Sequence, residues 1–165
     1  MGFRTPQSSH VGHRPTYTSC SDGDTDDLER HLSPLSGPQP IVLVVDDEPP
    51  IREIERRLLE QAGYHVIEAS GAAEALAVLH DGKPIDLLIA DLDMPEVSGD
   101  EMVRRIRAER PDLKVLYVTG HIDRLMDARP LWDGESFLDK PFSMNGLIEA
   151  VGLLLYGRVS AKPQQ

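Results

Sequence analysis

The residues that could do chemistry in this sequence stand at the ends of four apolar runs. They are acidic, hydroxyl-bearing or basic: Asp46 with Asp47, Asp91, Thr119 and Lys140. Short continuous apolar runs predict strands that are buried on both faces of a sheet, so that the residue at the end of each run is exposed at its edge. Asp91 alone could be a helix-capping carboxylate in an ordinary strand-to-helix loop. The interpretation therefore rests on the four strand ends taken together.

These side chains suit the transfer of a phosphoryl group. Carboxylates that crowd together repel one another, and they stay ionised only if a cation compensates. A few hard oxygen ligands favour Mg²⁺. Lys140 and Thr119 would supply a positive charge and a hydroxyl donor to the equatorial oxygens of the phosphoryl group. Asp91 is the best placed nucleophile because it ends the central strand, and its product would be an acyl phosphate. An ion-paired Lys140 and a helix-capping Asp47 remain the purely structural alternative.

The order of the elements predicts how these residues are brought together. Strands alternate with helices five times between residues 41 and 157, which is typical of an α/β domain with a parallel sheet. Right-handed crossovers place the carboxyl ends of all the strands at one edge. Ligands of such sheets bind beyond that edge, near the point where the strand order reverses. The strand over 64–69 is expected to be an edge strand, because polar residues alternate with its apolar ones.

Helical periodicity defines the connecting elements. The first helix opens at Pro49 and is predicted to stop at Gly63. Its predicted buried face comprises Ile51, Ile54, Leu58 and Leu59. A second well-marked helix is predicted over 99–109. Residues 121–134 are the least periodic part of the domain and contain Pro130, so we expect a short, irregular helix there.

Composition restricts the class of protein. The 165 residues fit one domain, with a disordered tail expected over 1–40, the domain over 41–157 and a C-terminal tail over 158–165. The net charge of −11 argues against direct binding of nucleic acid, whose phosphates need Lys and Arg. The sequence has one cysteine, no apolar run of membrane-spanning length and no secretion signal, which together predict a cytoplasmic location and no membrane partner.

Four motifs in a fixed order carry a family resemblance. They are VVDDE at 44–48, DLDMPEVSG at 91–99, VTG at 118–120 and FLDKPF at 137–142. The chain from Ile41 to about Tyr156 resembles a receiver domain of a two-component response regulator, of the single-domain, CheY-like kind. The resemblance implies a flavodoxin-like fold, in which a doubly wound parallel sheet has five strands in the order 2-1-3-4-5.

The resemblance also implies a role for each site residue. Asp91 would be the phosphoacceptor, Thr119 the switch hydroxyl and Lys140 the lysine that binds the phosphoryl group. The implied Mg²⁺ ligands are Asp46, Asp47, Asp91 and the backbone carbonyl of Asp93. Phe137 stands where the family carries a switch aromatic, and as a Phe it lacks the phenol hydroxyl of a Tyr. The Lys140–Pro141 bond is expected to be cis.

The partners expected from the resemblance are a sensor histidine kinase or a histidine phosphotransfer protein. The chain would not be an enzyme beyond its own phosphorylation and dephosphorylation. Only 25 residues follow Lys140, so we expect no effector domain after it. The signal would then leave through the face of the fourth helix, the fifth strand and the fifth helix toward a protein target or a phosphorylation-dependent homodimer, or the chain would relay the phosphoryl group.

Two other functions are weighed against this one. A haloacid-dehalogenase-like phosphatase also follows an apolar strand with D-x-D, which Asp91 and Asp93 satisfy, but it leaves Asp46 and Asp47 unexplained and wants Thr or Val where Pro95 stands. A receiver-like binding module without chemistry would need a hidden defect, because all the reactive groups are present. Turnover of a generic phosphatase substrate would distinguish the phosphatase from a receiver domain. Mg²⁺-dependent labelling by acetyl phosphate would distinguish an active receiver domain from the binding module.

Overall fold

The computed structural model describes residues 38–157, which form five strands and five helices in alternation. The strands are β1 Ile41–Val45, β2 His65–Ala69, β3 Leu87–Asp91, β4 Lys114–Thr119 and β5 Glu135–Asp139. The helices are α1 Pro49–Gln61, α2 Ala72–His80, α3 Gly99–Glu109, α4 Ile122–Ala128 and α5 Met144–Tyr156. The predictions for residues 1–37 and 158–165 lie outside the described residues.

All the strand pairs are parallel, and the sheet order is β2-β1-β3-β4-β5. This order confirms the predicted flavodoxin-like fold and the prediction that β2 is an edge strand. In the register, Val45 lies beside Ala90, and Asp91 lies beside Val118. The ends of β1, β3 and β4 therefore meet at one edge of the sheet, and the residues after them face a common space.

The sheet separates two apolar layers because successive strand residues point to opposite faces. Val44, Ile89 and Val118 pack on the side of α1 and α5. Val45 and Ala90 pack on the other side, against α2, α3 and α4. The central strand β3 is buried along its whole length, as its apolar sequence predicts. A sheet covered on both faces holds its strand ends rigidly.

Helix α1 shows one error of the sequence prediction. Ile54, predicted to be buried, is 50% exposed, whereas Glu55 is 1% exposed. Glu55 lies four residues before the buried Leu59, so the two stack on the face that packs on the sheet. Ile54 is rotated by about 100° from Glu55 along the helix and turns toward solvent. A charged residue type therefore occupies a core position that the hydrophobic pattern assigned to its neighbour.

Helix α3 begins and ends where the sequence predicts. The Ser98 hydroxyl accepts a hydrogen bond from the Glu101 backbone N–H at 3.3 Å and caps the first turn. Gly99 packs so closely on β3 that a Cβ atom there would lie 2.1 Å from the backbone oxygen of Asp91. Only glycine permits this approach, and the turn after Asp91 therefore depends on it.

Helix α4 has seven residues and is followed by an irregular segment that runs to β5, as predicted. Arg129 is extended, with φ −166° and ψ 157°, because the ring of Pro130 disfavours the helical conformation in the residue before it. Of the helices in residues 38–157, none is long and apolar enough to cross a membrane.

Candidate functional site

Lys140 joins the ends of β1 and β3. Its Nζ donates hydrogen bonds to Asp91 Oδ2 at 2.8 Å and to Asp46 Oδ2 at 2.9 Å. Both carboxylates are almost fully buried, with exposed fractions of 5% and 1%. Burial lowers the pKa of Lys140, but the hydrogen bonds to Asp91 and Asp46 outweigh it and raise that pKa above its ordinary value. The lysine is therefore charged, and it holds two carboxylates close together.

The loop after β1 adds a third carboxylate to this pair. The Glu48 backbone N–H donates to Asp46 Oδ1 at 2.7 Å and turns the loop back over the strand end. One carboxylate oxygen from each of Asp46, Glu48 and Asp91 then lies within 4.8 Å of the others. Three negative groups this close favour a cation between them. The Arg52 guanidinium does not balance them, because it donates to the Asp46 carbonyl oxygen and faces Glu68.

Asp47 and Asp93 border the same space. They line a cavity of about 320 Å³ together with Glu48, Asp91, Gly120, His121 and Lys140. Asp47 is partly exposed, and the three-carboxylate cluster contains Glu48 in its place. A larger cavity of about 590 Å³ lies at the other end of the strands, between Ile85, Leu113 and Tyr156, away from this chemistry.

Thr119 is fully buried at the end of β4, where its hydroxyl donates to Asp93 Oδ2 at 3.1 Å. The same hydroxyl oxygen accepts the His121 backbone N–H at 3.0 Å. The Asp93 carboxylate also accepts from His121 Nδ1 at 2.9 Å and from the Arg124 guanidinium at 3.0 Å. Burial raises the pKa of Asp93, but the hydrogen bonds from His121 and Thr119 outweigh it and lower that pKa below its usual value. Asp93 is therefore ionised in this arrangement.

The Asp93 backbone also orients the Asp91 carboxylate. Its N–H donates to Asp91 Oδ1 at 3.0 Å, while Lys140 holds Asp91 Oδ2. Both oxygens of the Asp91 carboxylate are therefore oriented by hydrogen bonds, and the group can turn only by breaking one of them. A carboxylate fixed in this way is prepared for attack on an electrophile placed above the strand end.

Glu55 contributes a further buried carboxyl group from α1. Neither of its oxygens has a hydrogen-bond partner among the described residues. Burial, together with the negative charge of Asp46, raises the pKa of Glu55 to about 8, although Lys140 opposes the shift. Glu55 is therefore mostly protonated at neutral pH, because its burial and the negative charges of Asp46 and Asp91 oppose its ionisation.

Phe137 lies on β5 beside Tyr117 of β4 and is 40% exposed. The Lys140–Pro141 peptide bond is cis, as the resemblance implies. The Lys140 backbone N–H donates to the Thr119 carbonyl oxygen at 2.9 Å, so the loops after β4 and β5 are joined directly. Phe137 is therefore a partly exposed aromatic side chain three residues before the lysine that contacts Asp91.

The donor set fits Mg²⁺. All the candidate ligands are oxygens, and the three clustered carboxylates carry more negative charge than Lys140 balances. Hard oxygen ligands at the mouth of an open cavity leave positions for the waters that Mg²⁺ keeps. Soft ligands are absent from this cluster, which argues against a structural zinc site there.

The structure brings together every residue that the sequence predicted for the site except Phe137, which lies at its margin. Sequence reasoning missed Glu48, Glu55, His121 and Arg124 as neighbours of that site. Glu48 had a signal, since it is the third acidic residue after β1. His121 and Arg124 reach Asp93 from 28 and 31 residues away, and no local pattern reports such a contact.

Comparison with known proteins gives a consistent match. The family model described as response regulator receiver domain matches residues 42–152. The response regulator receiver protein CpdR of Brucella abortus is 33% identical over 116 residues, a match that covers 69% of this chain and 95% of that protein. The sensor kinase CckA of the same organism is 34% identical over 116 residues, which are 69% of this chain but 12% of the kinase.

A solved structure matches in the same way. The response regulator protein TrrA of Thermotoga maritima, in complex with Mg²⁺-BeF, is 34% identical with a TM-score of 0.62. The match covers 71% of this chain and all of that one. Several relatives are much longer than the matched segment, which spans 24% of the transcriptional regulatory protein DctD of Rhizobium meliloti and 51% of PhoB of Pseudomonas aeruginosa. The similarity to these proteins is therefore confined to one domain.

Proposed function

This chain belongs to the response regulator receiver domain family of two-component phosphorelays, and from that premise we propose that its Asp91 carboxylate accepts the phosphoryl group. The observation that carries the proposal is the position of Asp91. Its two oxygens are held by Lys140 and by the Asp93 backbone. The same lysine contacts Asp46, and the Asp93 carboxylate accepts the Thr119 hydroxyl. Receiver domains are signalling domains, so the product would be a changed state of this protein.

Each residue has a part in the proposed transfer. An oxygen of Asp91 attacks the phosphorus of a phosphohistidine, the P–N bond breaks, and the imidazole leaves with its electron pair to take up a proton. Lys140 would exchange part of its contact with Asp91 for a phosphoryl oxygen and balance its charge. Thr119 would donate its hydroxyl to a second oxygen. Receiver domains take the phosphoryl group from histidine kinases or phosphotransfer proteins, and this chain would use one of these.

We further propose Mg²⁺ as the cofactor of this transfer. It would be held by Asp46, Asp91 and the Asp93 backbone carbonyl, with a further carboxylate from Asp47 or Glu48. The metal would supply positive charge to the phosphoryl oxygens. The excess of carboxylates around Lys140 supports this proposal, as does the Mg²⁺-BeF complex of the related protein TrrA.

Labelling by a small phosphodonor tests the proposed acceptor. Incubation with acetyl phosphate and Mg²⁺ should add one phosphoryl group to the intact mass of the wild-type protein. Asp91→Asn should lose the label completely, because the amide is not a nucleophile of this kind, while the exposed Asp112→Asn should keep it. Persistent labelling of Asp91→Asn would overturn the assignment. Turnover of p-nitrophenyl phosphate by the wild type would instead favour the haloacid-dehalogenase-like alternative.

Calorimetric titration with Mg²⁺ tests the metal ligands. Wild-type binding should be weak, because few protein oxygens are available. Asp47→Ala and Glu48→Ala should be compared, because Glu48 belongs to the three-carboxylate cluster and Asp47 lines the same cavity. The ligand should be the residue whose loss weakens Mg²⁺ binding about tenfold or more and slows labelling with it. Binding that neither variant weakens would remove both carboxylates from the site.

The proposed output surface is the face formed by α4, β5 and α5. Met126 and Phe137 are large apolar side chains exposed there, with 49% and 40% of their surface accessible. Movement of Thr119 toward a phosphoryl group would open space behind Phe137 and change this face, which a protein target or a second copy could then recognise. Amide chemical shifts over 119–157 should respond to beryllofluoride with Mg²⁺, and silence there would favour a passive relay.

A further inference from the structure

The Thr119 hydroxyl has one proton to donate, and in this structure it is given to Asp93. The bond to Asp93 Oδ2 is 3.1 Å long, and the hydroxyl oxygen simultaneously accepts the His121 backbone N–H. A hydroxyl can be the donor in one good hydrogen bond at a time. Donation to Asp93 and donation to a phosphoryl oxygen therefore exclude each other.

The Asp93 carboxylate accepts hydrogen bonds from two further residues besides Thr119. His121 Nδ1 and the Arg124 guanidinium donate to the two carboxylate oxygens at 2.9 Å and 3.0 Å. A carboxylate accepts shorter and stronger hydrogen bonds than a neutral oxygen does. The incoming phosphoryl group must therefore compete with an existing charged acceptor for the Thr119 proton.

The same carboxylate holds the start of α4. His121 is the residue before the first turn of α4, and Arg124 lies within that turn. Asp93 belongs to the loop after β3, so its contacts bridge this loop to α4. The His121 backbone is also bonded to the Thr119 hydroxyl. A movement of Thr119 away from Asp93 would consequently pull on the beginning of this helix.

We propose that Asp93 is a positioning residue that competes with the phosphoryl group for the Thr119 hydroxyl and thereby holds α4 in its resting place. The inference rests on the proposed phosphorylation of Asp91 and names the residue that stabilises the unphosphorylated arrangement. Phosphorylation breaks the Thr119–Asp93 bond, after which the Asp93 carboxylate keeps only His121 and Arg124. The strength of the Asp93 bond sets how much of the protein switches at a given level of phosphorylation.

A double-mutant cycle in the resting protein tests the bond without any phosphodonor. Asp93→Ala and Thr119→Val are combined, and the unfolding equilibrium is measured in urea with EDTA. The two substitutions should couple by about tenfold in the unfolding constant, because either one removes the shared hydrogen bond. Independent effects, with coupling below about twofold, would show that the bond is not made in solution and would overturn the proposal.

Beryllofluoride binding in the presence of Mg²⁺ tests the competition itself. Asp93→Ala should tighten binding several-fold in the wild-type background, and Asp93→Asn, which keeps a neutral acceptor, should have a smaller effect. Removal of a negative charge could tighten binding without any role for Thr119. The Thr119→Val background separates the two causes, because the gain should disappear there only if Asp93 acts through the hydroxyl. An equal gain in both backgrounds would contradict the proposal.

The two readouts also separate this inference from the function on which it rests. If the wild type neither binds beryllofluoride nor becomes labelled, the proposed phosphorylation is wrong. The proposed competition is then wrong as well, whatever coupling the double-mutant cycle in the resting protein shows. If the wild type is labelled but Asp93 and Thr119 do not couple, phosphorylation stands and the competition is wrong. Amide shifts supply a third readout, since resting Asp93→Ala should move residues 121–124 toward their beryllofluoride-bound positions.

Discussion

Arg129 and Lys140 each lie at the centre of a group of carboxylates, but the two groups differ in their balance of charge. Arg129 donates to Asp100 at 2.8 Å and to Glu135 at 2.8 Å, and Arg107 also faces Glu135 at 3.5 Å. The Arg129 guanidinium is covered by the ring of Trp132 at 3.9 Å. Arg104 also contacts Asp100, at 3.0 Å, so guanidinium groups fully compensate both carboxylates, and the Glu135 side chain is fully buried among them.

Around Lys140 the charges do not match. One ammonium group contacts Asp46 and Asp91, while Asp47 and Glu48 border the same cavity. A balanced group of buried charges needs nothing further and stabilises its segment of the fold. A group with excess negative charge is stabilised by an added cation, and it can then bind an anionic ligand through that cation. The excess of carboxylates at the Lys140 group is therefore consistent with the chemistry proposed there, whereas the compensated Arg129 group supports the irregular segment before β5.

Removal of Arg129 should have the largest effect on stability. Arg129→Met removes the guanidinium that binds both Glu135 oxygens and leaves the buried carboxylate with Arg107 at 3.5 Å, and such a loss costs about 3–5 kcal/mol of unfolding free energy. Mg²⁺ should not restore it, because the group has no excess of carboxylates. Urea denaturation with and without Mg²⁺ measures both quantities. Arg105→Met, which breaks an exposed pair with Glu101, is the control and should cost under about 1 kcal/mol.

Removal of Lys140 should give a smaller loss that depends on the metal. Lys140→Met leaves Asp46 and Asp91 facing each other, at a cost of about 1–3 kcal/mol in EDTA. Millimolar Mg²⁺ should recover most of this, since the ion can replace the missing charge between the carboxylates. The contrast with Arg129→Met is the sharpest form of the comparison. Equal responses of the two variants to Mg²⁺ would mean that charge balance does not distinguish the groups.

Glu55 should make stability depend on pH near neutrality. Its pKa is about 8 in the folded protein and near 4.5 in the unfolded chain, so folding takes up a proton between these values. The stability contribution of Glu55 is therefore full below pH 4.5 and falls as pH rises to 8, by up to about 1.4 kcal/mol per pH unit. Glu55→Gln should flatten this slope in EDTA, and the exposed Glu53→Gln should leave it unchanged. A wild-type slope unaffected by Glu55→Gln would refute the shift.

The fold and the grouping of polar residues at the strand ends were predictable from the sequence. The apolar runs of β1 and β3, the helical periodicity of 99–109 and the break at Pro130 each act on their immediate neighbours, so their effects can be read along the chain. The position of Asp91 at a shared edge followed from the alternation of strands and helices, because parallel crossovers leave few arrangements.

The remaining contacts depend on the folded geometry. Glu55 has a polar side chain at a helical core position, and the average pattern favoured its apolar neighbour Ile54. Asp93, His121 and Arg124 meet only because β3 and β4 are adjacent in the sheet. Several acceptors lie near the strand ends, and distances of a few tenths of an ångström decide that the Thr119 hydroxyl donates to Asp93. The spacing of residues in the sequence therefore cannot predict this hydrogen bond.

The position of the phosphoryl group on the wild-type chain decides whether Asp91 is the acceptor. After labelling with acetyl phosphate and Mg²⁺, reduction with borohydride converts an aspartyl phosphate to homoserine, and peptide mass spectrometry identifies the altered position. We predict conversion at Asp91, dependent on Mg²⁺ and absent from unlabelled protein. Conversion at Asp46, Asp47 or Asp93 with Asp91 unchanged would contradict it.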